Sequence, residues 1–187
     1  MKKLLITAFA ACLAIASQAA TASWKATAVN IFDGTGTSTR YSGTAFIFDA
    51  GVKSQSALFD IIAAGTTIGS GTEGYVGTGT VSNGSLPNTT SFDYVNQSAS
   101  ASDLTNYSYY FVILNGDDAY FSNVKEVSAN ATATAKTITF GAQAGSNAAP
   151  TATGYAGEGK WSSVPEPTSA MLLMLGICGL ALKRKNS

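Results

Sequence analysis

The chain contains no histidine, and its two cysteines, Cys12 and Cys178, stand close to its ends. Without histidine there is no Ser-His-Asp or Cys-His nucleophile, no imidazole ligand for zinc and no side chain that ordinarily exchanges protons near neutral pH. Between Ser23 and Ser163 there is no cysteine, so that stretch forms no disulfide and rests on a hydrophobic core, for which about 140 residues suffice. Charge is scarce too, at 12% of residues. Eleven basic and eleven acidic side chains balance formally, but Lys2, Lys3, Lys183, Arg184 and Lys185 crowd the ends, leaving six basic residues against ten acids from Ser23 to Ser163. Nucleic acids and anionic membrane surfaces call for a basic face, and no nucleic-acid partner is expected. The apolar runs at the two ends, Leu4–Ala16 and Ala170–Leu182, are each 13 residues long, short of the roughly 20 of a stable transmembrane helix.

The N-terminal run follows Lys2 and Lys3 and is followed by Ala20-Thr21-Ala22, a small-x-small site. A positive region, an apolar region and such a site, in that order, predict a secretory signal peptide over 1–22, cut before Ser23. The C-terminal run is framed differently. Pro165-Glu166-Pro167 precedes it and breaks regular structure, because proline lacks an N–H and turns its predecessor away from helix. Lys183-Arg184-Lys185 closes it, and the positive-inside bias keeps such a cap in the cytoplasm. A short stop-transfer anchor is expected, with Ala170, Leu172, Leu173, Leu175, Ile177, Leu180 and Leu182 facing lipid.

The order Val164-Pro165-Glu166-Pro167-Thr168-Ser169, apolar run, Lys183-Arg184-Lys185 resembles the PEP-CTERM sorting signal of exported proteins in Gram-negative bacteria that make exopolysaccharide. The resemblance covers 164–187. It implies an exosortase, a membrane transpeptidase-like enzyme, as processing partner, with Pro165, Glu166 and Pro167 as the sorting motif. It also implies transient anchoring in the inner membrane, followed by passage to the cell surface or extracellular matrix.

Between the ends, residues 23–141 are rich in Gly, Ser, Thr, Ala and Asn, with clustered aromatic and β-branched residues, a composition that favours sheet. Alternation predicts strands over Lys25–Ile31, Tyr41–Phe48, Thr89–Val95, Tyr107–Leu114, Ala119–Val124 and Thr132–Phe140, with shorter pieces at Thr66–Ile68 and Tyr75–Val76. Ala45 to Phe48 and Tyr107 to Leu114 are apolar on both faces, the mark of central strands. Asn115-Gly116-Asp117-Asp118 joins two of the strands as a hairpin. Ser54 or Ser56 is placed to cap one short helix bearing Leu58, Ile61 and Ile62 on a face and ending at Gly65. The fold class expected is mainly β, a small sandwich or open barrel with one short helix. Residues 142–163 are expected to be a mostly loose Ala/Gly/Ser-rich connector, with Trp161 as one contact to the domain.

Little here carries chemistry. The glycine-rich segment after the helix has no lysine in phosphate-loop spacing. Asp33, Asp49, Asn115, Asp117 and Asp118 are hard oxygen ligands, but no calcium-loop spacing joins them, so no metal and no cofactor is expected. Asn83, Asn88, Asn96, Asn106 and Asn130 match the glycosylation tripeptide by composition alone. The expectation is an exported, non-enzymatic surface or matrix protein. The alternative is a carbohydrate-binding module or adhesin that stacks exopolysaccharide rings on the tyrosine-rich hairpin, with Tyr109 and Tyr120 as contacts.

Overall fold

The computed structural model describes residues 20–26, 31–86, 92–94, 107–127 and 135–165. Nine strands and one α-helix are placed among them: β1 (Ala20–Ala26), β2 (Gly43–Asp49), α1 (Gln55–Ala63), β3 (Tyr75–Val81), β4 (Phe92–Tyr94), β5 (Tyr107–Asn115), β6 (Asp118–Phe121), β7 (Lys125–Val127), β8 (Ala135–Phe140) and β9 (Lys160–Ser163). They form a six-stranded sheet in the order β3-β2-β5-β6-β9, with β7 also paired to β5, and a three-stranded sheet in the order β4-β1-β8. Pairing is antiparallel throughout except between β1 and β8. Among the described residues the fold is mainly β with one α-helix and no closed barrel.

The centre is β5, flanked by β2 on one edge and by β6 and β7 on the other. Its two faces belong to two cores, as the alternation predicted. Tyr109, Phe111 and Ile113 join Ala45, Ile47, Trp24, Ile138 and Phe140 between the sheets. Tyr110 and Val112 join Phe48, Phe121, Leu58, Phe59 and Ile62 beneath α1. Phe111 meets Phe140 edge-on at 5.1 Å, and on the far face Tyr110 stacks on Phe48 at 5.9 Å. The molecule is thus three layers deep: small sheet, large sheet, helix.

Local chemistry accounts for the joints. The Ser54 hydroxyl accepts from the Ala57 N–H at 3.3 Å and caps α1, and Gly65 follows its end at φ 77°, a conformation glycine adopts without strain. The β5–β6 hairpin turns through Gly116 and Asp117, with Asn115 paired to Asp118 and Gly116 at φ 58°, the conformation glycine supplies at the first central position of a two-residue turn.

Several boundaries differ from expectation. The first strand lies upstream of Lys25–Ile31, at Ala20–Ala26, because Trp24 and Ala26 face the core; residues 27–30 lie outside the described residues. A cut after Ala22 would fall inside this strand. It would remove all three pairs with β4 and leave the pairs of Ser23 to Ala26 with β8. Thr66–Ile68 is loop rather than strand. Of Thr89–Val95, only Phe92–Tyr94 is described, as β4.

The largest correction concerns 142–163, which is part of the fold rather than a loose connector. It contains a 3-10 turn at Ala144–Asn147 and the strand β9. Trp161 is 2% exposed. Its ring packs on Tyr120 at 5.5 Å, and its indole N–H donates to the Ser146 carbonyl at 2.8 Å. Gly34 lies against the indole so closely that a Cβ there would stand 2.6 Å from it. A Cβ on Gly145 would collide with the Gly159 carbonyl oxygen. A connector would tolerate loss of its tryptophan; a core element does not. Trp161→Ala should lower the unfolding free energy of the chain by about 3–5 kcal/mol, measured by urea denaturation.

Candidate functional site

The sheet ends where the sorting motif begins. β9 pairs antiparallel with β6, Trp161 opposite Tyr120 and Ser163 opposite Asp118. On its other edge the Gly154 N–H donates to the Ser163 carbonyl at 2.9 Å, and the Ala156 N–H donates to the Ser162 hydroxyl at 3.0 Å. One residue further, the Val164 N–H donates to the Asp117 carbonyl at 2.7 Å, while its side chain packs against the core beneath α1. The Ser163 hydroxyl bonds the Asp118 carboxyl. Burial pushes that carboxyl above its ordinary range, with the neighbouring Asp117 adding to the effect and the Ser163 bond opposing it. Pro165 is exposed. Held residues therefore run through Val164, and the first residue of the Pro-Glu-Pro triplet stands in solvent.

The other candidate residues divide cleanly. Glu166, Pro167, the apolar positions Ala170, Leu172, Leu173, Leu175, Ile177, Leu180 and Leu182, and the basic Lys183, Arg184 and Lys185 lie outside the described residues. Tyr109 and Tyr120, expected as sugar contacts, are 4% and 0% exposed, so their rings present no open face for stacking. Their rings fill the core between the sheets because β5 and β6 are covered on both faces. The Tyr120 hydroxyl donates to Gln143 Oε1 at 2.8 Å, and Gln143 Nε2 in turn donates to the Gly141 carbonyl. Of the oxygen ligands, Asn115 donates to the distant Asp33 carbonyl at 2.7 Å, a bond between two segments of chain, and Asp49 accepts from the Gly51 N–H at 2.8 Å within its own turn. Among the described residues no three His, Cys, Asp or Glu side chains group as a metal site, and no helix is long and apolar enough to cross a membrane.

Sequence inspection did not anticipate an open groove of about 670 Å³ beside the end of α1. Ile61, the loop from Thr66 to Glu73, and Lys53 line it. Lys53 Nζ lies 2.8 Å from Glu73 Oε2 and, through that bond and its charge, holds the Glu73 carboxyl below its ordinary range. Val164 was missed as well: an aliphatic residue before a proline has no signal until the Asp117 carbonyl is placed opposite it.

Residues 163–185 match the family profile of the PEP-CTERM protein-sorting motif. The chain carries a PEP-CTERM sorting motif at its C-terminal end. No curated protein and no solved structure matches it. The motif implies exosortase-dependent sorting of a surface protein, with export and a transient membrane anchor before display. Its match begins at Ser163, the last residue of β9, so tag and domain share a strand end rather than meeting across a linker.

The perturbed tyrosines are structural groups. Burial pushes Tyr110, Tyr120, Tyr41 and Tyr155 above the ordinary phenol value of 10.0. Tyr110 donates to the Lys53 carbonyl at 2.9 Å, and Tyr155 to Gln55 Oε1 at 2.6 Å. A folded pKa raised above the unfolded one means the unfolded chain loses protons first as pH rises. Stability is therefore complete below about pH 10 and declines above it. Tyrosinate absorbance near 295 nm should appear for these rings together with loss of near-ultraviolet dichroism, rather than before it.

Proposed function

We propose that this PEP-CTERM protein is an exported, non-enzymatic component of the cell surface or extracellular matrix. The observation that carries the proposal is the sorting motif fused directly to β9. The use of the domain's buried polar groups supports the rest. Gln55 and Gln143 are spent on bonds to Tyr155 and the Ser122 carbonyl, and to Tyr120 and the Gly141 carbonyl. Such bonds close one segment of chain on another and leave these groups turned to the fold rather than to a substrate. Residues 1–22 act as the signal peptide in this reading, and the tag delivers the domain to the inner membrane and then to an exosortase. Exopolysaccharide is then the medium around the displayed domain, and the buried rings of Tyr109 and Tyr120 are turned away from it.

Mass spectrometry of the protein recovered from the cell surface or medium tests the reading. The mature form should begin near Ser23 and lack Lys183-Arg184-Lys185. Recovery of that basic cluster on released protein would remove the support for processing at the tag.

A further inference from the structure

The junction between β9 and the tag has a consequence for processing. An enzyme that cuts a peptide bond needs the substrate chain extended and free of its own pairing, and a paired strand meets that need only after local opening. Lys160 to Ser163 are paired with β6 along their whole length. The opposite edge of Ser163 is held by Gly154, and the Trp161 ring is enclosed. Val164 is held through its N–H by the Asp117 carbonyl at 2.7 Å. Pro165 is exposed and, as a proline, has no N–H through which a strand could continue pairing.

We propose that the folded domain itself fixes the inner limit of processing: the chain is clamped through Val164, and the bond that is cut lies on its carboxyl side. This rests on the sorting role proposed above. In the cut, the acyl carbon of the broken bond takes the hydroxyl of water, or the nitrogen of an amine acceptor, and the tag leaves with a free amino group. The displayed product keeps β9 and Trp161 and so keeps its core. A second consequence is distance. Five residues, Pro165 to Ser169, separate Val164 from the apolar run, so Val164 stands at most about 22 Å from Ala170 when the segment is fully extended. The domain is therefore held against the membrane surface until the cut, with the β5–β6 turn at the membrane end.

The test has two arms. In the first, the purified full chain in detergent is digested briefly with proteinase K and the large fragment is weighed. Its C-terminus should fall at Val164 or later, with cuts inside Lys160–Val164 at least about tenfold slower than cuts in Pro165–Ser169. Equal rates in the two segments would overturn the clamp. Val164→Pro removes the N–H that donates to the Asp117 carbonyl together with the valine side chain that packs beneath α1, and should move the limit back into β9 while tryptophan fluorescence stays unchanged. Val164→Ala keeps the N–H and should leave the limit in place. A limit that does not move in Val164→Pro also overturns the clamp. In the second arm, the C-terminus of the protein matured in cells is read by mass. An end at Val164 or beyond supports the proposal, whereas an end between Ala144 and Ser163 overturns it and leaves sorting intact. Retention of Lys183-Arg184-Lys185 overturns the sorting reading, and the digestion arm still decides the clamp.

Discussion

The two-sided burial of β5 is the constraint on which the other elements depend. Tyr109, Phe111 and Ile113 point one way and Tyr110, Val112 and Leu114 the other, so neither face can be left to water. Apolar burial contributes on the order of 25 cal/mol per Å², and each of these rings presents on the order of 150–250 Å². A single sheet could cover one face only. The small sheet, carrying Trp24, Ile138 and Phe140, covers one side, and α1, carrying Leu58, Phe59 and Ile62, covers the other. The three-layer arrangement follows from that one strand.

The large sheet still has edges, and an uncovered edge invites pairing with other chains. At the β6 side the chain supplies its own cover. β9 returns from the 3-10 turn to lie beside β6, with Trp161 locked between Tyr120, Gly34 and the Ser146 carbonyl. The backbone from Thr153 to Ala156 then borders β9 in turn. The element closing this edge is also the last before Pro165, the first residue of the sorting motif, which stands exposed.

Buried polar groups reinforce the same joints. Gln55 ties α1 to Ser122 and Tyr155, and Gln143 ties the turn before β9 to Tyr120. A buried polar group without a partner would cost roughly 1–3 kcal/mol, so each of these bonds specifies a loop position more than it adds net stability. Packing likewise accounts for the burial of Tyr109 and Tyr120, the two rings expected as sugar contacts. On a strand with one wet face, Tyr109 and Tyr120 would have been accessible; here the layer above them removes that face.

Local pattern was enough for much of this. Alternation over Tyr107–Leu114 and Ala45–Phe48 located the two central strands, Asn115-Gly116 the hairpin, and Ser54 with Gly65 the helix, because each depends on residues near in sequence. The Pro-Glu-Pro triplet, short apolar run and basic cap located the sorting motif for the same reason. Strand β9 was not legible: Lys160-Trp161-Ser162-Ser163 is short, and its alternation has no meaning until β6 lies beside it. Nor was the clamp on Val164, whose partner Asp117 stands 47 positions earlier in the chain. The sequence alone determined that this protein carries a β-rich stretch, acidic and cysteine-free from Ser23 to Ser163, ahead of a sorting tag. Only the tertiary structure decided that the tag is joined to the core without a linker, because pairing between distant segments depends on which edge the packed layers leave open.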